Sequence, residues 1–362
     1  MTDLSNDSWN TTIQKLDMTR DARDFWKTVT RLMGNSRQKQ TINLKDNHNN
    51  NIDSDEDIER IFRHYWQKVF TITDEDNDDF DTDTDETVTT ETIRQLPNWD
   101  PLMTVNYNDI PDNLIVTDQE VKDVIRQSKQ SAPGQTGITR LHLQHLPDNL
   151  IDSLTNIFNA LLVTGYFPQQ WKIAIMVFLL KAFKSPHHHT NYRPISLLET
   201  IGKLYERLLN RRTYDAMTDL DLHNTRQHGF RKRRGTQTAI ATLTEIISKQ
   251  KTKQRQKINL VLRDLSKAFD RVWHSGLLYK LHISNFPISL LRSINSFLSN
   301  RIAHIRINSF VGPQINIFCG VPQGSCLSPT LFNFFCKYPF STFIETTFHA
   351  SFFFESDRYS VK

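Results

Sequence analysis

The stretch NLVLRDLSKAFDRVWH, Asn259–His274, sets two aspartates six residues apart, the first where an apolar run gives out. INLVLRD has the aliphatic, β-branched make-up of a strand, and Asp264 stands at its end. Side chains alternate along a strand, so Asp264 faces away from Arg263 and Leu265. A carboxylate placed there reaches into a cleft while the strand holds it rigid, an arrangement suited to a hard cation such as Mg²⁺. The backbone carbonyl of Leu265 supplies a second oxygen. The same spacing also makes Asp264 an N-cap for the helix carrying KAFDRVWH, and spacing alone favours the cap.

A second segment, CGVPQGSCLSPTLFN, runs from Cys319 to Asn333. Two glycines around Pro322 and Gln323 predict a tight turn that lets another backbone or a base approach closely. Ser328 and Pro329 predict the N-cap and first position of a helix. Taken alone, a Gly-rich turn is a loop.

Composition narrows the field. The 362 residues are 38% hydrophobic and 23% charged, ordinary for globular chains and long enough for two or three domains. The longest apolar run, IAIMVFLL at 173–180, is too short to span a bilayer, so no membrane partner is expected. MTDLSNDSW lacks the basic start and apolar segment of a secretion signal. Cys319, Cys326 and Cys336 have no paired spacing, which argues against a disulfide scaffold or zinc knuckle and for a reducing compartment. An intracellular protein of nucleus or cytoplasm, not a secreted one, is expected.

Charge is uneven. Thr73–Glu86 holds nine acids and no base, and reads as a disordered linker. RLLNRR, FRKRRG and KQKTKQRQK, between Arg207 and Lys257, are strongly basic and suit phosphate contacts, with Arg231, Lys232, Arg233 and Arg234 the densest group.

Helices are expected over DFWKTVTRLMG and DIERIFRHYWQKVF, then from Thr117, an N-cap with Glu120 completing a capping box. A helix ending near Gly165, the IAIMVFLL strand, and helices over LLETIGKLYERLLNRRTYDAM, TQTAIATLTEIISKQ and PISLLRSINSFLSN follow. IAHIRINSF and QINIFCG, on either side of Val311–Gly312–Pro313, read as a hairpin. Interspersed helices and strands with an antiparallel pair predict an α+β fold.

Together the two opening segments are far more specific than either alone. VLRDLSKAFDRVWH, followed roughly fifty residues later by GVPQGSCLSPTLFN, resembles motifs A and B of reverse transcriptases from non-LTR, LINE-type retrotransposons of the jockey-like group. SAPGQTGI, GYFPQQWKIAIMVFLLKAFKSPHHHTNYRPISLLETIGKLYERLLNRR and QHGFRKRRGTQTAI resemble that family's finger motifs in order. The resemblance runs from about Ile115 to Asn333. It implies the fingers and partial palm of a right-hand polymerase, without a thumb. On that view residues 1–72 are a helical connector, 73–113 the acidic linker, 114–258 fingers and the start of the palm, and 259–362 a partial palm with a divergent tail.

The implied chemistry is RNA-templated addition of deoxynucleotides to a DNA primer, with two Mg²⁺ ions roughly 4 Å apart. The resemblance makes Asp264 the catalytic metal ligand, with Leu265 beside it, and Phe269 the aromatic beneath the sugar. Asp270 takes a structural role, such as capping; Gln323 and Gly324 line the nucleotide and template pocket. Lys181 and Arg193 fall on finger positions that hold the triphosphate.

Departures are equally specific. The family's aromatic-Ala-Asp-Asp hairpin is expected some thirty residues after motif B, yet no Asp-Asp pair follows Asn333. Glu345, Glu355 and Asp357 are the only acids there. The chain thus reads as a polymerase truncated before that motif, without an endonuclease, and inactive by itself. KAFK stands where the family has a Pro-Gly turn, and PGQTG where it has Pro-Gly-Pro-Asp-Gly. A non-catalytic nucleic-acid-binding remnant of a mobile element is the alternative. His187–His189 read as a solvated loop, and the aromatics of LFNFFCKYPFSTF as core.

Overall fold

The computed structural model describes residues 42–46, 48–71, 114–254 and 267–337. Two compact units divide the chain, Met1–Asn43 and Leu44–Lys362, and all the described elements belong to the second. The acidic tract, the INLVLRD run and everything after Lys337 lie outside the described residues.

The unit opens with a small hairpin, β1 (Leu44–Lys45) and β2 (Asn51–Ile52). Its turn is built by Asp46, whose carboxylate accepts from the amides of His48 and Asn50, both at 2.8 Å. Helix α1 (Asp55–Val69) follows, with Ser54 accepting from the Asp57 amide and three acids in the first turn facing the positive helix end. Helix α2 (Asp118–Gln127) starts at the expected Thr117–Glu120 capping box. After α3 (Arg140–Gln144), α4 (Asp148–Thr164) ends on Gly165, as expected. A φ of 64° and the nearby Arg292 side chain leave no room there for a Cβ.

Next come α5 (Gln169–Lys172), β3 (Ile173–Leu180) and β4 (Tyr192–Leu197), then two long helices, α6 (Thr200–Asp219) and α7 (Thr236–Gln254). A 3₁₀ turn at Phe269–Arg271 leads into α8 (His274–Ile283), α9 (Ile288–Leu298), β5 (Arg301–Ile307), β6 (Phe310–Ile317) and α10 (Ser328–Phe335).

The four longer strands form one sheet in the order β4-β3-β5-β6. The β3–β5 pair is parallel and the other two antiparallel, so helices and strands mix in an α+β fold, as expected. Alternation divides the sheet's faces. Met176, Phe178, Tyr192, Pro194, Ser196, Ala303 and Ile305 are buried on one face. On that face α1 lies down its apolar stripe: Phe62, wholly buried, stacks on Phe178 at 4.0 Å and meets Tyr192 edge-on at 5.5 Å. Burying one such ring contributes roughly 2–3 kcal/mol.

A helical layer supplies the rest of the core. Phe158 of α4, Tyr205 and Leu208 of α6 and Phe297 of α9 converge with Phe167, all essentially without exposure. Lys172 is buried at the end of α9, its ammonium donating to the carbonyls of Ser296 and Ser299 at 2.9 and 3.1 Å. Burial, with the charge of Arg301 nearby, lowers its pKa to about 8. A cation at a helix C-terminus is where the helix dipole favours one.

Three local expectations are corrected. The helix expected to carry KAFDRVWH is instead a 3₁₀ turn at Phe269–Arg271, and the α-helix starts only at His274. The β5–β6 hairpin turns at Asn308–Ser309, with Asn308 at φ 49°, and not at Val311–Gly312–Pro313. Gly312 and Pro313 lie inside β6, together opposite Ile305, where the pairing shifts by one residue. Proline is tolerated there because β6 is an edge strand, and Gly312 leaves space for the buried side chain of Glu59. In α10 the cap residue is Leu327 and not Ser328. The hydroxyl that serves that helix end belongs to Ser325, which accepts from the amides of Leu327 and Ser328 at 3.0 and 3.2 Å. Three residues upstream, it reaches orphan amides that a serine within the first turn cannot.

Candidate functional site

The turn Pro322–Ser325 is fixed from three sides. On one side the chain after β6 pairs with the 3₁₀ segment: Gly320 N donates to Val272 O at 2.8 Å and Val321 N to Phe269 O at 2.7 Å. Gly320 adopts φ 84°, and a side chain there would run into the Asp270 backbone. On the second side, the free edge of β4 takes up the turn, Ser196 N donating to Gln323 O at 2.8 Å. Gly324, at φ 126°, permits this approach, since a Cβ would lie 2.5 Å from Ser196 O.

Side chains complete the hold. The Gln323 amide nitrogen donates to both oxygens of Asp270, at 2.9 and 3.0 Å. Asp270 is only 5% exposed, and it caps no helix of its own: its carboxylate is spent on the turn. Burial pushes its pKa up to about 7, against the opposing pull of the Gln323 amide and the charges of Lys267 and Lys181. Lys181 therefore lies within electrostatic reach of this pocket.

From the third side comes a carboxylate that sequence reasoning missed. Glu206 of α6 has no exposed surface. It accepts from the Ser325 hydroxyl at 2.7 Å and the Cys326 amide at 2.8 Å. Burial raises its pKa, opposed by Ser325 and by the positive field of Arg301, itself buried over the Phe297 ring at 4.7 Å. The signal was present in α6. Gly202, Glu206, Leu209 and Thr213 recur at helical spacing and are all buried, so an acid sits on the inward face. Buried acids must find partners, and this one finds the turn.

Beside the turn, Phe269 stacks on Phe332 of α10 at 4.5 Å and meets Phe230 edge-on at 5.6 Å. The loop before α7 is tied to α10, Gln227 donating to the Asn333 side chain at 3.1 Å and Asn333 to Gly229 O at 3.0 Å. Phe269, Gln323, Gly324 and Asp270 are thus brought together, with Lys181 near.

Arg193 is placed differently. It pairs across the strands with Leu179, so alternation puts it on the face opposite Pro194 and Ser196, away from the Gln323 side chain. Of the basic segment, Arg231 donates to Asn224 O at 2.5 Å and Arg234 to Thr225 O, so both brace a turn. Lys232 lies over the Tyr214 ring at 4.3 Å, and Lys232, Arg233 and Arg234 are exposed.

Asp264 and Leu265 lie outside the described residues. Among the described residues no group of three or more His, Cys, Asp or Glu is arranged to hold a metal ion, the three histidines at 187–189 included. Nor, among them, is any helix long and apolar enough to cross a membrane.

Residues 184–354 match a family model described as reverse transcriptase (RNA-dependent DNA polymerase). The chain is 36% identical over 223 residues to the RNA-directed DNA polymerase from mobile element jockey of Drosophila melanogaster, a stretch covering 61% of this chain and 24% of that protein. It is 35% identical over 237 residues to the probable RNA-directed DNA polymerase from transposon BS of the same organism, covering 65% and 26%. Against the probable RNA-directed DNA polymerase from transposon X-element, also of Drosophila melanogaster, the figures are 36% over 215 residues, 59% and 23%. The chain spans about a quarter of the length of the curated relatives it matches.

Proposed function

We propose that this chain carries a reverse-transcriptase domain of non-LTR retrotransposon type, supplying the fingers and part of the palm of an RNA-directed DNA polymerase; the family match over residues 184–354 and the likeness to the jockey polymerase support this. Its substrates are an RNA template, a DNA primer and deoxynucleotides. The observation that carries this reading is the threefold anchoring of the Pro322–Ser325 turn by Asp270, Ser196 and Glu206. A turn held so rigidly presents Gln323 and Gly324 to an incoming nucleotide without having to be ordered by it.

Phe269, stacked against Phe332, forms the floor beneath the sugar. Lys181, at the end of β3, faces the triphosphate, and the exposed Lys232 and Arg233 track the nucleic-acid backbone. Arg193 joins this set only for a phosphate approaching the other face of the sheet.

A divalent metal suits the donor set this reading implies, a hard carboxylate at Asp264 and the Leu265 carbonyl, and Mg²⁺ there would supply the charge that phosphoryl transfer needs. What the described residues do is bind and orient.

The test is binding of a fluorescent RNA–DNA primer–template, followed by extension with Mg²⁺ and deoxynucleotides. Salt-dependent binding weakened by neutralising Lys232 and Arg233 supports the reading. Failure to bind sinks it. Synthesis abolished by Asp264→Asn would uphold the polymerase and refute the inactivity expected from the sequence.

A further inference from the structure

The β3–β4 connection holds a residue that folding does not explain. Phe183 is 96% exposed, whereas the next most exposed large hydrophobic side chain among the described residues, Phe318, stands at 59%. Its φ is 60°, in the left-handed region that bulky residues avoid. The reason is local. Lys184 N donates to Lys181 O at 3.2 Å, closing a four-residue turn with Phe183 at its third position, where a positive φ normally calls for glycine. Phenylalanine there meets a steric cost that glycine avoids, and at such exposure no packing offsets it.

The surrounding loop is not loose. Lys181 N donates to Asn191 O at 2.8 Å, the Asn191 side chain to Ser185 O at 3.0 Å, and the Tyr192 hydroxyl to Pro186 O at 2.8 Å. The Lys181 ammonium donates to Thr190 O at 3.3 Å. The ring is therefore held out into solvent on a braced platform, between two lysines of which Lys184 is exposed. A flat apolar face beside positive charge matches one kind of partner well: an unpaired base, whose ring stacks while its adjoining phosphate meets the ammonium.

We propose that Phe183 is a base-stacking contact for single-stranded nucleic acid at the tip of the β3–β4 loop, with Lys184 taking the neighbouring phosphate. The inference rests on the nucleic-acid reading above and adds to it a contact made by a side chain of the KAFK turn. Rigid presentation lowers the ordering cost of each contact, so one ring is enough to matter.

The experiment compares wild type, Phe183→Gly, Phe183→Trp and Lys184→Ala by fluorescence anisotropy with a labelled oligo(U) RNA across a salt series. The probe is repeated as an oligomer of the same length bearing abasic sites. Phe183→Gly should unfold at the same or a higher temperature, because glycine suits the turn. It should nonetheless bind oligo(U) about tenfold more weakly with an unchanged salt slope, and Phe183→Trp should restore the affinity. Lys184→Ala should flatten the salt slope by about 0.7. On the abasic oligomer the glycine variant should match wild type. Equal binding of oligo(U) by Phe183→Gly and wild type overturns the proposal while leaving the nucleic-acid reading standing, as does an equal loss on the abasic oligomer. No binding by the wild type overturns both.

Discussion

The side-chain amide of Gln323 spans both carboxylate oxygens of Asp270, at 2.9 and 3.0 Å, across 53 residues of chain. This bond turns a buried acid into the fastening of the turn proposed to line the nucleotide pocket. It fixes which way the amide points: the nitrogen faces Asp270, and the Gln323 carbonyl oxygen is left to face away from it. It also makes the fold sensitive to pH.

Asp270 has a folded-state pKa raised to about 7 by burial. A raised pKa means the group's contribution is intact below its unfolded value, near 3.8, and is lost as pH climbs to about 7. Burial of His274, held near 4, acts with the opposite sign, its contribution being lost as pH falls below 6.5. The difference between wild type and Asp270→Asn isolates the first effect. In urea titrations from pH 4 to 8 the variant should gain on wild type progressively, by several kcal/mol in all as an order of magnitude. Parallel curves would show that Asp270 does not titrate in this window.

Glu206→Ala should cost about 2–4 kcal/mol, since it strands the Ser325 hydroxyl and the Cys326 amide and opens a void. Because burial already favours the protonated acid, Glu206→Gln should cost about 1 kcal/mol or less. Thiol labelling adds a local readout. Cys326 is held sluggish, its pKa pushed up to about 11 chiefly by burial, and should react faster in the alanine variant. Unchanged labelling would mean that Glu206 does not hold this end of the turn.

Gly324→Ala places a methyl 2.5 Å from Ser196 O at a φ of 126°. A loss of at least about 2 kcal/mol is expected, together with faster hydrogen exchange at the Ser196 amide, whose acceptor is Gln323 O. Protection at Ser196 equal to wild type would contradict the docking of the turn on β4.

Phe62→Ala removes the ring stacked at 4.0 Å on Phe178 and should destabilise the unit by about 3–5 kcal/mol. Global urea unfolding is the measure. A loss below 1 kcal/mol, or loosening confined to Asp55–Val69, would mean that α1 is only an accessory to the sheet.

Features written in short windows were legible. The Thr117–Glu120 box, the Gly165 stop and the full extent of Ile173–Leu180 each depend on residues within one turn or one strand. The hairpin was legible as a pair of strands but not in its turn. Gly312–Pro313 looks like a turn until the edge position of β6 shows that a bulge accommodates it. Ser328 looked like a cap because proline follows it; the Ser325 hydroxyl reached the helix end first. Of the candidate site, Phe269, Gln323 and Gly324 were identifiable as motif residues, whereas Glu206 was hidden in a helix of ordinary composition.

By itself, then, the sequence determined most of the described helices and strands and which residues resemble a polymerase motif, because both are encoded by spacing within a few residues. Only the tertiary structure decided that Asp270 holds Gln323, that Glu206 holds Ser325 from 119 residues away, and that Arg193 lies on the sheet face opposite Ser196. Those outcomes depend on which distant surfaces meet and which buried charges must then be satisfied, and no local pattern specifies either.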